Sequence, residues 1–342
     1  MTQMVTERLE TSKKEYNNSI SRAAEILKNG GIVAIPTETV YGLAASVFDE
    51  NAVKKVFCAK GRPQDNPLIV HIADIAELSE IAKDIPKVAF KLAEKFWPGP
   101  LTMVLMRTEK IPACVSAGLD TVAVRMPSDK TARDIIRNSI PLAAPSANTS
   151  GKPSPTSAKY VIDDLDGKIN AVVMSGDCCV GVESTVVTLV TNPPRLLRPG
   201  AVTAEQLREF LPDIVVDKAV LSAPAKDEKV ASPGMKYKHY APKTETYLVE
   251  GDAAEFAEYV NGKQNAAAIC FSEDSGKINI PKLCYGTAAD ESTLAHEVFS
   301  ALRRADNLGA STLYVHAPSK TGVGLAVYNR LIRAAAFRVI KL

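Results

Sequence analysis

Lys60, Arg62, Asn66 and His71 put two cations, an amide and an imidazole into one short run. Gly61, Pro63 and Pro67 break the run, and it leads straight into the apolar stretch Leu68–Ile72. Loops delivering polar groups at strand ends are where rigid scaffolds usually carry binding sites. Arg62 offers a planar fork of donors suited to carboxylate or phosphate, and Lys60 a mobile point charge. Taken singly, both cations also read as solvated charges on a turn. His71 fits a satisfied core histidine or a ligand contact equally well. A second loop, Ala144 to Gly151, adds Ser146, Asn148, Thr149 and Ser150 after another short apolar run. The two loops together suggest a pocket for a polyanionic small molecule, and neither carries a motif for covalent catalysis.

Period-two alternation puts Thr121, Ala123 and Arg125 on one face of a strand. An unpaired buried charge is costly, so Arg125 needs either an internal salt bridge or an anion. Thr37, Glu38 and Thr39 follow the buried-strand pattern Ile32–Ile35, either as a turn entering a helix or as a pocket wall. Glu183, Ser184, Arg195 and Arg198 repeat the placement at strand ends. Glu183 offers a single carboxylate for water-bridged magnesium, and the sequence leaves the metal ligands unknown.

The elements that must position these groups alternate. Apolar runs at Leu101–Met106, Thr121–Met126, Ala171–Met174 and Thr185–Val190 read as strands. Helical periodicity fills Ala76–Ala82 and Pro86–Phe96, and a further helix with Ser19 as its cap carries Ile20, Ala23, Ala24 and Leu27. This is α/β organisation with a mixed sheet. Residues 211–243, rich in Pro and small residues, read as a linker. It contains Lys236, Tyr237, Lys238, His239 and Tyr240, an unusual concentration for a spacer. A compact α/β pattern resumes after Lys243, with helices near Ala253–Asn261, Leu294–Leu308 and Leu325–Phe337.

The 342 residues carry a formal charge of only +2, which argues against a protein that coats nucleic acid. The six cysteines form no C-x-x-C pair and the histidines are dispersed, so structural zinc is not expected and a reducing cytoplasm is the simplest home. There is no P-loop and no nucleophile elbow, and Gly322-Val323-Gly324 is a weak dinucleotide signal. No apolar run approaches membrane length.

The segments PTETVYGL, KGRPQDNPLIVHI, FWPGPLTMVL, TVAVRMP, APSANTSGKPSPT, ESTVV and RLLRPG occur in the order that resembles the YrdC-like, threonylcarbamoyl-AMP synthase family. Its K-x-R (Lys60, Arg62) and S-x-N (Ser146, Asn148) signatures are intact. SPGMKYKHYAP and GVGLAVYNRLIRAA resemble the long, two-domain form. The resemblance implies a YrdC-like twisted mixed sheet with flanking helices plus a smaller C-terminal three-layer α/β domain. The boundaries expected are a flexible tail at 1–14, the catalytic domain at 15–210, linker and lid at 211–243, and the C-terminal domain at 244–342.

The implied activity joins L-threonine, bicarbonate or carbon dioxide, and ATP into L-threonylcarbamoyladenylate and pyrophosphate for tRNA modification. By the same resemblance, Thr39, His71, Arg125, Ala144 and Ser184 hold threonine, with Arg125 on its carboxylate. Arg62, Asn66, Thr121, Ser146, Ser154 and Arg198 line the ATP side, and Tyr240 closes over it from the lid. Lys60 and Asn148 support the phosphates or the carbamate, and Lys60, Arg62, Ser146 and Asn148 form the catalytic set. Magnesium accompanies ATP, with no tightly bound organic cofactor. A downstream threonylcarbamoyl transferase complex takes the product, contact with tRNA is weak or indirect, and the C-terminal domain anchors and regulates the lid. The rival readings are a carbamoyladenylate-forming relative and a non-catalytic double-stranded RNA or tRNA binder. The first would bring an acylphosphatase segment and cysteine-rich zinc motifs, both absent, and the second an aromatic stacking platform.

Overall fold

The computed structural model describes residues 5–222 and 240–342. Ile32–Ile35 is apolar at every position because both faces of its strand are covered, as in sheets sandwiched between helices. Val33 and Ile35 pack with Leu27 of helix Tyr16–Lys28 and Ile135 of helix Lys130–Asn138. Ala34 faces the other way, toward Val56 of helix Glu50–Lys60 and Val161 of helix Ala158–Leu165. The larger sheet has twelve strands and mixes parallel with antiparallel pairs. Its central path runs Gly42–Ser46, Leu142–Ala143, Ile69–His71, Thr121–Arg125, Leu101–Arg107, Thr185–Thr188 and Arg195–Arg198.

The smaller sheet is wholly parallel, in the order Lys282–Cys284, Ala266–Cys270, Thr312–His316, Glu245–Glu250, Val339–Lys341. Helices Glu291–Ala305 and Gly324–Ala334 share its core through Val298, Phe299, Leu302, Val327 and Leu331. Every residue of Gly324–Ala334 is buried. A helix buried on all sides must place its polar residues against partners, and Asn329, Arg330 and Arg333 lie on it. None of the six cysteines is bridged, and among the described residues no helix is long and apolar enough to cross a membrane.

Several expectations need correction. Glu7–Glu10, placed in a loose tail by sequence, is a strand parallel to Ala171–Met174, docked through Leu9. Its alternation is too short and too charged to read as a strand locally. The first helix begins at Tyr16, and Ser19 lies within it, its hydroxyl donating to Glu10 O at 2.7 Å instead of capping. Gly42–Ser46 is a fully buried strand antiparallel to Val33–Ile35, not the start of a helix. Residues 76–82 split into a short turn at Ile75–Glu77, helix Leu78–Ile81 and strand Ala82–Lys83. The region read as linker begins inside the fold, because Val215–Val216 pairs with Arg195–Leu196. Most of the lid motif, through His239, lies outside the described residues.

Candidate active site

Helix Glu50–Lys60 starts on Asp49, whose carboxylate accepts from the amides of Asn51 and Ala52, and ends at Gly61 in the left-handed region at φ 60°. That stop fixes Lys60 on the last helical turn, not on a free loop. Its side chain is buried, and its ammonium donates to Ser146 O, to Asn148 O at 2.6 Å and to Asn148 Oδ1 at 3.4 Å. Burial, with Arg62 adding to it, pushes the ammonium well below the usual lysine range. Ser146 Oγ donates to Asn148 Oδ1 at 2.5 Å, and Asn148 Nδ2 to the carbonyls of Thr149 and Lys152, both at 2.9 Å. Lys60 therefore ties down the Ala144–Gly151 loop from inside.

This loop forms one wall of a cavity with about 740 Å³ of empty space. Arg62, Arg125 and Arg198 all line it, together with Lys60, Thr39, His71 and Ala144. Ser146, Asn148, Ser154, Glu183, Ser184 and Tyr240 complete the predicted residues found there. Asn66 and Thr121 do not line it. Asn66 is buried with neither side-chain amide atom hydrogen-bonded to a described residue, and Thr121 pairs with Met106 at the far end of its strand.

The internal salt bridge that the sequence left open for Arg125 is present. Its Nη2 lies 2.7 Å from Glu38 Oε1, a contact held by charge more than by hydrogen-bond alignment. Nη1 donates to Thr39 Oγ1 at 2.8 Å and Nε to Gly99 O at 3.3 Å. Burial alone would raise the Glu38 carboxyl, but the adjacent guanidinium holds it below the ordinary carboxylate range. Arg125 thus reaches the cavity already oriented by a carboxylate behind it. The sequence placed Glu38 at a strand end without joining it to Arg125, because the partner lies far along the chain. The signal available was a lone acid between two threonines after a buried strand.

Arg198 donates to Ser184 O at 3.0 Å and Ser184 Oγ at 3.1 Å, and burial lowers its guanidinium to about 10, with Glu183 opposing. Glu183, the sole carboxylate among the described lining residues, accepts from Ser154 Oγ at 2.5 Å and from Arg330 Nε at 2.8 Å. Burial would raise it, yet Arg330, Arg198 and Ser154 bring it down to about 2. Each oxygen thus accepts one hydrogen bond, which fixes the carboxylate between Ser154 and Arg330. Tyr240 is buried, with its ring 5.0 Å from that of Phe299 in the C-terminal domain.

His71 Nδ1 lies 3.2 Å from Ile69 O, and a carbonyl only accepts, so Nδ1 carries the proton and Nε2 is the acceptor. Burial and the charge of Arg125 depress its pKa to about 3, so the ring is neutral at neutral pH. A base depressed in the fold contributes stability above its unfolded pKa and loses it as pH falls, because the unfolded chain takes the proton first. Urea unfolding at pH 6.5 and pH 5 should therefore differ by ~2 kcal/mol from this residue. The difference should vanish in His71→Asn, and an unchanged slope in that variant would refute the assignment.

The family model described as telomere recombination (Sua5_yciO_yrdC) matches residues 25–200, and that of the threonylcarbamoyl-AMP synthase C-terminal domain matches residues 202–336. The threonylcarbamoyl-AMP synthase of Pyrococcus abyssi is 44% identical over 347 residues, covering 98% of each chain. The chain belongs to the threonylcarbamoyl-AMP synthase family. The Bacillus subtilis threonylcarbamoyl-AMP synthase is 43% identical over 345 residues, covering 98% of this chain and 97% of its own. The crystal structure of P. abyssi Sua5 complexed with L-threonine superposes with a TM-score of 0.89 at 41% identity, over 99% of this chain and 100% of that one. Like those threonylcarbamoyl-AMP synthases, the chain is a nucleotidyl-transferring enzyme of two α/β domains.

Proposed function

We propose that this chain forms L-threonylcarbamoyl-AMP and pyrophosphate from L-threonine, bicarbonate or carbon dioxide, and ATP, in the cavity described above. The observation that carries the reading is the convergence of Lys60, Arg62, Arg125 and Arg198 on one cavity whose only described lining carboxylate is already engaged. Such a site presents a cluster of fixed donors to a triphosphate and an amino-acid carboxylate. The threonine amine adds to carbon dioxide, losing a proton, and the resulting carbamate oxygen attacks the α-phosphorus as pyrophosphate leaves. No enzyme nucleophile is needed, so positioning and charge neutralisation carry the catalysis.

Threonine is assigned to the Thr39, His71, Arg125, Ala144 and Ser184 side. Neutral His71 offers Nε2 to the threonine hydroxyl or ammonium, and Arg125 faces the carboxylate. ATP is assigned to Arg62, Ser146, Ser154, Arg198 and Tyr240. Asn66 and Thr121, off the cavity wall, act through the strands and loop that carry Arg62 and Arg125. Lys60 and Asn148 hold the loop between the two substrates. Among the described residues no group of three or more His, Cys, Asp or Glu gathers to hold a metal ion. Magnesium enters with ATP, carried on its phosphates. Water destroys carbamates, so burial of Tyr240 against the C-terminal domain suits a site that must stay closed during turnover. The adenylate passes to a separate transferase that modifies tRNA.

The decisive experiment is pyrophosphate release from ATP with threonine and bicarbonate supplied or withheld, with the adenylate identified by mass. Release should require both. Release indifferent to threonine would overturn the assignment, and formation of a carbamoyladenylate instead would favour the related activity.

A further inference from the structure

Arg330 does not line the cavity, yet it is completely buried directly behind it. It belongs to the C-terminal helix Gly324–Ala334, and among the described residues its hydrogen bonds outside that helix all go to the N-terminal domain. Nε donates to Glu183 Oε2 at 2.8 Å, Nη2 to Glu183 O at 3.0 Å and Nη1 to Pro199 O at 2.8 Å. Asn329 Oδ1, 3.0 Å from Nη1, steadies the fork from within its own helix. The other Glu183 oxygen receives Ser154 Oγ at 2.5 Å. Pro199 follows Arg198 in sequence, and Arg198 itself grips Ser184. One guanidinium thus fixes the carboxylate that orients Ser154 and the backbone on both sides of the Arg198–Ser184 contact.

A second arginine of the C-terminal domain repeats the arrangement next door. Arg303, on helix Glu291–Ala305, donates to Pro153 O at 2.5 Å and Asp164 Oδ2 at 2.9 Å. Its guanidinium lies over the ring of Tyr160, 4.9 Å from the centroid. Both backbone segments flanking the nucleotide side are therefore held from the far domain by a planar fork of donors, a geometry lysine does not reproduce.

We propose that Arg330 is a positioning residue of the reaction. Through Glu183 it sets the place of Ser154 Oγ and keeps Arg198 turned to the nucleotide, so the C-terminal domain completes the active site. Without Arg330, Arg198 is the remaining cation beside the Glu183 carboxylate, and it is drawn toward that carboxylate and away from ATP. This rests on the assignment of Ser154 and Arg198 to the ATP side.

Steady-state kinetics of full-length R330Q, R330K and the double variant R330Q/E183Q test it, with thermal melting as the folding control. R330Q should raise the KM for ATP ~10–100-fold, the range for losing a charge-assisted contact, while the KM for threonine moves less than ~3-fold. Neutralising Glu183 in the double variant releases Arg198 and should return much of the ATP affinity. R330K keeps the charge without the fork and should fall between. A purely structural role predicts equal changes in both KM values and no rescue by E183Q, and either result overturns the proposal. If R330Q does not fold, R330K decides, an unchanged ATP KM being the refuting outcome. An inactive wild type would refute the functional reading with it, whereas an active wild type with unaffected variants refutes only the positioning.

Discussion

Lys60→Met should lower kcat/KM for both substrates by ~10²–10³-fold while leaving the chain folded. The ammonium is the shared donor to Ser146 O and Asn148 O, two carbonyls enclosed in the wall of the cavity. Each acceptor left without a partner costs ~1–3 kcal/mol, so the Ala144–Gly151 loop relaxes to a shape in which water reaches those carbonyls. Ala144 and Ser146 stand on that loop and face the same cavity, so threonine and ATP both lose their seat. Arginine should not rescue. Its planar fork cannot converge on acceptors grouped around a point, and the space was shaped around a compact head. Pyrophosphate release under saturating and limiting amounts of each substrate gives the answer. Activity of Lys60→Met within threefold of the parent would mean that the loop keeps its shape unaided.

The second large effect separates stability from recognition at Arg125. Arg125→Ala strands the Glu38 carboxylate, whose side chain is only 4% exposed. Breaking a buried pair from one side typically costs ~3–5 kcal/mol. For a chain of this size that corresponds to a fall in melting temperature of about 10 °C. The KM for threonine should rise at least ~10-fold, with a smaller change for ATP, since only the partner of a carboxylate has been removed. In the double variant Arg125→Met with Glu38→Gln, the unpaired charge is gone, and most of the melting temperature should return. Threonine affinity should not return with it. If both substrates suffer equally in the single variant, Arg125 is scaffold alone. If the double variant melts as low as the single one, the ion pair is not the source of the instability.

What the sequence revealed and what it hid divide along one physical line. Arg62, Arg125 and Arg198 were legible as candidates because each sits beside an apolar strand run, and the family resemblance joined them in one site. Their partners were not. Lys60 meets acceptors 86 and 88 residues away, and Arg125 meets Thr39 across 86. Such pairings leave no mark on local periodicity. Gly42–Ser46 escaped notice for a related reason: a strand of small residues buried on both faces has no alternation to read. Arg330 was visible only as a charge in an apolar helical motif. The rule that a buried charge needs a partner flags it as unusual, but only the fold supplies Glu183 as the answer.

The marginal strand Glu7–Glu10 has a consequence for how the protein is made. It and Val33–Ile35 are joined only through Ala171–Met174, and Thr6 bonds Ile169 across 163 positions. A nascent chain leaving the ribosome N-terminus first cannot complete this edge until Ala171–Met174 has been synthesised. High separation of this kind slows folding and leaves early strands exposed while they wait. The glutamates and arginine of Glu7–Glu10 are charges of the kind that blunt unwanted pairing along an exposed strand edge.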